Sequence, residues 1–192
     1  AKAITKQLSE KFSSEDRVAI ASVAGKYFQH TGFISNKDAK LAEACQALNE
    51  FTPMGVADLK SAIQSSEKLF ADNTSTRKLI VYIGDGVSAL NPMTAEDRTI
   101  LASNLLSKEI QFFAVPVGIK PDMLDMRGIA SATGGAILRL AQKETPEATI
   151  ARFHTSLTAP VLRNVEVQFP AEVTLAMPGK LPLKHDCSPS TP

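Results

Sequence analysis

The sequence has almost no net charge. Its 21 Lys and Arg against 20 Asp and Glu leave +1 over 192 residues. That balance removes the electrostatic case for binding nucleic acid or an anionic membrane surface. Long hydrophobic runs are also missing: none approaches the roughly 20 residues a membrane-spanning helix needs. Cysteine is scarce. Cys45 falls in a helical pattern and Cys187 in the tail, and two such distant residues neither require a disulfide nor fix a redox compartment. His30, His154 and His185 stand far apart, and no His/Cys/Asp spacing suggests zinc. There is no phosphate or dinucleotide glycine fingerprint and no Gly-x-Ser-x-Gly elbow. No nucleophile–base pair can be nominated, so catalysis is not expected. No signal-peptide pattern opens the chain, which starts without Met, so an upstream segment removed or omitted is left open.

What is present is an ordinary globular composition, 44% hydrophobic and 21% charged, long enough for one domain with a real core and a modest appendage. The organising stretch is Arg77 to Ser88. Its apolar run Leu79 to Ile83 reads as a strand buried on both faces, as in the middle of a parallel sheet. The run stops at Gly84-Asp85-Gly86. In an open α/β sheet, ligands bind beyond the carboxyl ends of the strands. Asp85 is therefore a carboxylate delivered to the expected ligand edge.

The remaining chain alternates helix and strand. Ile4, Leu8 and Phe12 mark one face of a helix over Ala1 to Phe12. Arg17 to Val23 reads as a buried strand ending at Gly25, and Tyr27 to Ile34 as a short edge strand. Ser35-Asn36 is the expected cap of a helix over 37–50, with Leu41, Ala44, Cys45 and Leu48 inward. Phe51 to Asp58 is a loop, and Asp58 stands at the start of the next helix, where a carboxylate is favoured. Asp72 to Thr76 is a polar loop. Thr94 and Asp97 resemble a capping box for a helix to Lys108 with Ile100, Leu101, Leu105 and Leu106 inward. Strands are expected at 111–118 and 136–140, with a short helix at 122–132 between them and a last one over 148–157 behind Pro146. Strands alternating with helices imply a mostly parallel, doubly wound sheet. Val161 to Leu175 instead alternates with period two, a half-buried β signal. The expected division is thus an α/β domain over 1–159 and a β extension with a Pro-rich tail over 160–192.

Four segments occur in an order that resembles the von Willebrand factor type A domain: "DRVAIASVAG", "PMGVADLKSAI", "VYIGDGVSA" and "IASATGG". The resemblance spans about Ala1 to Leu157. The tail "APVLRNVEV…FPAEV…MPGKLP" is similar to the β segment that follows such domains in large bacterial proteins, including some resembling inter-α-trypsin inhibitor heavy chains. The resemblance to the type A domain implies a Rossmann-like sheet in order 3-2-1-4-5-6 and a metal-ion-dependent adhesion site built from three loops. Those loops carry Asp-x-Ser-x-Ser, a Thr in Gly-x-Thr, and the Asp of Thr-Asp-Gly. A hard cation such as Mg²⁺ takes octahedral oxygens there and can accept one more carboxylate from a partner. The resemblance implies an adhesion or protein-interaction module and favours an extracytoplasmic location.

The motif residues depart from that pattern. No Asp-x-Ser-x-Ser is present where it belongs; Asp72-Asn73-Thr74-Ser75-Thr76 mimics it at the wrong end of a strand. The Gly-x-Thr position reads Gly55-Val56-Ala57, and Gly84 replaces the Thr before Asp85. Asp85 and Asp58 are the candidate ligands for Mg²⁺ or another divalent cation, with Gly86, Ser88 and Ala57 as binding positions. For Asp85 the alternative is a loop carboxylate held by backbone N–H groups; for Asp58, a helix cap; for Ser88, a turn residue. The family's first strand is also absent, and is expected from upstream residues or another chain. Two functions stay open: an interaction module with a degenerate or incomplete cation site, or a metal-independent structural domain of a larger protein.

Overall fold

The computed structural model of the chain describes residues 1–70, 77–141 and 144–160. The architecture is α/β and doubly wound, built around a parallel pair of strands. Strand β5 (Lys78–Gly84) runs alongside β6 (Ile110–Pro116) in continuous register from Lys78↔Ile110 to Gly84↔Pro116. Beyond β6, residues 136–138 add one parallel bridge, Ala114↔Ile137. Ala114 N–H donates to Ala136 O and Leu138 N–H to Ala114 O, at 3.1 and 2.8 Å.

Helices cover both faces of this pair. On one face lie α3 (Leu59–Lys68), α4 (Ala95–Ser107) and α5 (Met123–Ala132), which bring Leu59, Ile63, Leu101, Leu105, Met126 and Ile129 onto Ile80, Phe112 and Ala114. On the other, α1 (Lys2–Ser9) and α6 (Pro146–Thr158) bring Leu8, Ile150, Phe153 and Leu157 onto Phe113 and Val115. Leu79, Val81 and Ile83 pack at the margin of that second cluster and Tyr82 at the margin of the first. The alternation of β5 thus feeds two cores, as a strand covered on both sides must.

The helix ends follow the sequence closely. Thr94 and Asp97 form a reciprocal capping box on α4. Pro146 occupies the first turn of α6, where its missing N–H costs nothing. Ion pairs then tie the helices: Lys60 of α3 to Asp97 of α4, Arg98 of α4 to Asp125 of α5, and Lys108 to Glu67 at 2.5 Å.

Several expectations are corrected. Arg17 to Val23 is not one strand. It divides into β1 (Arg17–Val18) and β2 (Ala21–Ala24) at Ile20, whose carbonyl accepts both His30 and Thr31 N–H. These pair antiparallel with β4 (Ile34–Ser35) and β3 (Lys26–Gln29), the two halves of the expected edge strand. Helix α2 (Ala39–Glu50) is capped by Asp38, which accepts Lys40 N–H at 2.9 Å. Ser35 and Asn36 instead bind the Ser14 and Phe12 carbonyls. Ile100 and Leu106 are exposed, because Leu101, Ala102 and Leu105 form the inward arc of α4. Residues 136–140 form a bridge rather than a full strand, and the Arg139 carbonyl beyond the bridge accepts from Arg152 at 2.7 Å. The Asp72–Thr76 loop and the β extension lie outside the described residues.

Candidate functional site

Three loops meet at the carboxyl ends of β5 and β6: 51–58 before α3, 85–93 after β5 and 117–122 after β6. Backbone bonds lock the latter two together. Asp122 N–H donates to the Asp85 carbonyl at 2.7 Å and Val117 N–H to the Gly84 carbonyl at 2.9 Å. Side chains lock the first two: Leu59 N–H donates to Ser88 Oγ, and Asn91 Nδ2 to Asp58 Oδ2, each at 2.9 Å. The 51–58 loop is pinned in turn to the β2–β3 turn by Gly25 N–H on the Val56 carbonyl.

Asp85 sits exposed where the strand ends. Its Oδ1 accepts Val87 N–H at 3.1 Å, a local Asx bond that orients the carboxylate. Gly86 is buried beneath it and donates N–H to the Tyr82 hydroxyl at 3.3 Å. Burial pushes the Tyr82 phenol above its ordinary range; the Gly86 bond opposes this, and the Asp85 charge adds to it. The same hydroxyl explains Gly84. A Cβ at Gly84 would lie 2.7 Å from Tyr82 Oη, so tyrosine at 82 and a threonine at 84 compete for one space.

Asp58 is the N-cap of α3. Its Oδ1 accepts Ser61 N–H at 3.0 Å, and Oδ2 takes the Ser61 hydroxyl and the Asn91 amide. Burial pulls its carboxyl upward, but these bonds together outweigh it and hold the group below the usual carboxylate range. Ala57, just before Asp58, brings only a half-buried methyl group. The structure therefore joins the loops bearing Asp85, Gly86, Ser88, Asp58 and Ala57, with both Asp58 oxygens already engaged.

Two participants escape sequence reading: Asn91 and Tyr82. Nothing in "ALNPM" distinguishes Asn91 from a turn residue. Gly84, where the resemblance implies Thr, is the one signal that space above the strand end is filled by another side chain.

This donor set does not fit a cation as it stands. Among the described residues no group of three or more His, Cys, Asp or Glu side chains is arranged to hold an ion. Asp85 is one carboxylate without a hydroxyl at 57 or 84 beside it. A Ser–His contact, Ser22 Oγ to His30 Nε2 at 2.8 Å, belongs to the β2–β3 hairpin, where His30 packs edge-on against Phe51.

A doubly wound sheet carrying a strand–Asp–Gly loop at its carboxyl edge defines a class of α/β ligand-binding domains. The model of the von Willebrand factor type A domain matches residues 2–137, and the chain belongs to this family. The family is one of protein-interaction and adhesion modules. No curated protein matches the sequence. Among solved structures, an aerotolerance-related membrane protein from Bacteroides fragilis is 16% identical with a TM-score of 0.64, covering 81% of this chain and 85% of that one. A von Willebrand factor type A protein from Catenulispora acidiphila is 15% identical with a TM-score of 0.69, over 81% of this chain and 37% of that one. The manganese-loaded TRAP protein of Plasmodium vivax is 14% identical with a TM-score of 0.57, over 80% and 64%. The chain spans less than two thirds of the latter two, and at these identities the likeness is one of fold. No helix among the described residues is long and apolar enough to cross a membrane.

Proposed function

We propose that this domain is a non-enzymatic protein-interaction module whose cation site is degenerate. The observation that carries the reading is the state of the two carboxylates: Asp58 spends both oxygens on α3 and Asn91, while Asp85 follows Gly84 and the 51–58 loop offers Ala57, so neither position supplies a hydroxyl. A divalent cation would use Asp85 and Asp58, with Gly86, Ser88 and Ala57 as the surrounding loop positions. It would need Asp58 to leave its cap, which costs about 0.5–2 kcal/mol. An acidic partner side chain would then complete the shell; a solved neighbour, the Plasmodium protein, is manganese-loaded. An extracytoplasmic location accords with the membrane protein among the neighbours.

Thermal unfolding in Mg²⁺ and Mn²⁺ tests this. A bound ion raises stability by RT ln(1 + [L]/Kd). The melting temperature is expected to stay unchanged across millimolar ion in the wild type and in Asp85→Ala. A rise in the wild type that Asp85→Ala abolishes would restore the cation site.

A second reading, a metal-independent assembly domain, is favoured by β5. Among the described residues this strand is paired on one side only. A further apolar strand, from residues upstream of Ala1 or from another chain, would fit its open edge. Slow hydrogen exchange at both alternating sets of β5 amides in the intact protein would mark that edge as covered; exchange of one set as fast as the loops would count against it.

A further inference from the structure

The exposed apolar side chains are not scattered. Among the described residues ten large hydrophobics are exposed, and six of them, Met54, Val56, Val87, Leu90, Ile119 and Leu124, lie on the three loops around Asp85 or in the first turn of α5 behind them. Met54 keeps 78% and Leu90 84% of its surface, and Ile119 is fully exposed. Single exposed apolar residues are ordinary. Here the loops are bonded to one another through Asp122–Asp85, Leu59–Ser88 and Asn91–Asp58, so their side chains share one rim. A shared apolar rim of this kind marks an interaction surface.

Its charge selects the partner. The three loops contain Asp58, Asp85 and Asp122 against a single Lys120. The ion pairs found elsewhere involve Asp97, Asp125, Glu67 and Glu144, not these carboxylates. Asp58 and Asp122 face their own helices as caps, which leaves Asp85 as the outward acid. Without a cation such a rim repels an acidic segment and attracts a basic one.

We propose that this rim binds a peptide segment in which apolar side chains flank a Lys or Arg, the base meeting Asp85 and its neighbours covering Leu90, Ile119 and Met54, with no metal ion involved. The inference rests on the interaction-module reading and gives its partner a chemistry. Fluorescence polarisation with short labelled peptides tests it: one series with Lys centred between Leu residues, one with Asp at that centre, each in EDTA and in Mn²⁺. The Lys series should bind in EDTA at least about tenfold more tightly than the Asp series and weaken with salt. Asp85→Asn should erase the preference for Lys, while Leu90→Ser should weaken binding about tenfold. Both replaced side chains are exposed, so the wild-type melting temperature should persist and separate lost binding from lost fold. Binding of the Asp series only in Mn²⁺ would overturn the inference and the degeneracy of the cation site, and leave the interaction module itself standing. Binding of neither series would overturn it and favour the assembly reading.

Discussion

Strands β5 and β6 have seven residues each and run side by side in parallel, yet their environments differ. Every residue of β6 before Pro116 is buried, including Gln111. On β5 only Ile80 is, at 9% exposure. The apolar content of the two is alike: LIVYI against IQFFAV. The difference is lateral. β6 has β5 on one side and residues 136–138 on the other, whereas β5 has β6 alone among the described residues. Helices supply cover above and below, but only a neighbouring strand satisfies the remaining row of N–H and C=O groups. β5 carries the sequence of a central strand in the position of an edge strand. That combination is a template for pairing with another segment.

Substitutions into the two strands give the largest test. Phe112 is fully buried between α4, α5 and β5, so Phe112→Ala should cost about 3–5 kcal/mol in urea unfolding. Val81, half-buried at the rim of the other cluster, should cost about 1 kcal/mol as Val81→Ala. If Val81→Ala costs as much as the like-sized Val115→Ala on β6, where Val115 is fully buried, β5 is as enclosed as β6 in solution, and the contrast between them fails.

Glycines beside the strands sharpen it at intermediate scale. A Cβ at Gly135 would collide with the Phe112 carbonyl, which is backbone and cannot swing aside. Gly135→Ala should therefore push the 136–138 segment off β6, at about 1–3 kcal/mol. A Cβ at Gly84 meets only the far end of Tyr82, which can rotate. Gly84→Ala should cost less, about 1 kcal/mol, and in a Tyr82→Ala background almost nothing more. A double-mutant cycle showing no coupling between 82 and 84 would remove the tyrosine from the account of Gly84.

Much of this architecture was legible because it depends on local chemistry. The box at Thr94 and Asp97, the cap at Asp58, the proline opening α6 and the strand before Asp85 follow from neighbouring residues. What was not legible depends on distant ones. The division of 17–23 into β1 and β2 is decided by two distant N–H groups, those of His30 and Thr31, both aimed at the Ile20 carbonyl. The shift of the α2 cap to Asp38 follows from Asn36 and Ser35 being drawn to the 12–14 turn. At the site, Asp85 stood out through its flanking glycines. Asn91 did not, because an amide in a turn shows its partner only when two loops are brought together.

The smallest expected effect concerns acid. Asp97 is held down to about 2, first by the Lys60 hydrogen bond, then by the Thr94 N–H and hydroxyl. A carboxylate with its folded pKa depressed stabilises the fold above its unfolded value, and that contribution is lost as pH falls from about 4 towards 2. Asp58 and Glu144, also lowered, act with the same sign. Lys60 belongs to α3, beside β5, and Asp97 to α4, beside β6, so protonating Asp97 removes one of the two ion pairs that hold the helix covering the less enclosed strand, leaving Lys108–Glu67. Melting temperature should decline through this window, less steeply in Lys60→Met or Asp97→Asn. Because the pair is surface-placed, the change should be modest and should shrink at high salt. Amide exchange followed down the same pH range should show β5 losing protection before β6. Simultaneous loss in both strands would mean that β6 shares the loose footing of β5, and that lateral pairing is not what separates them.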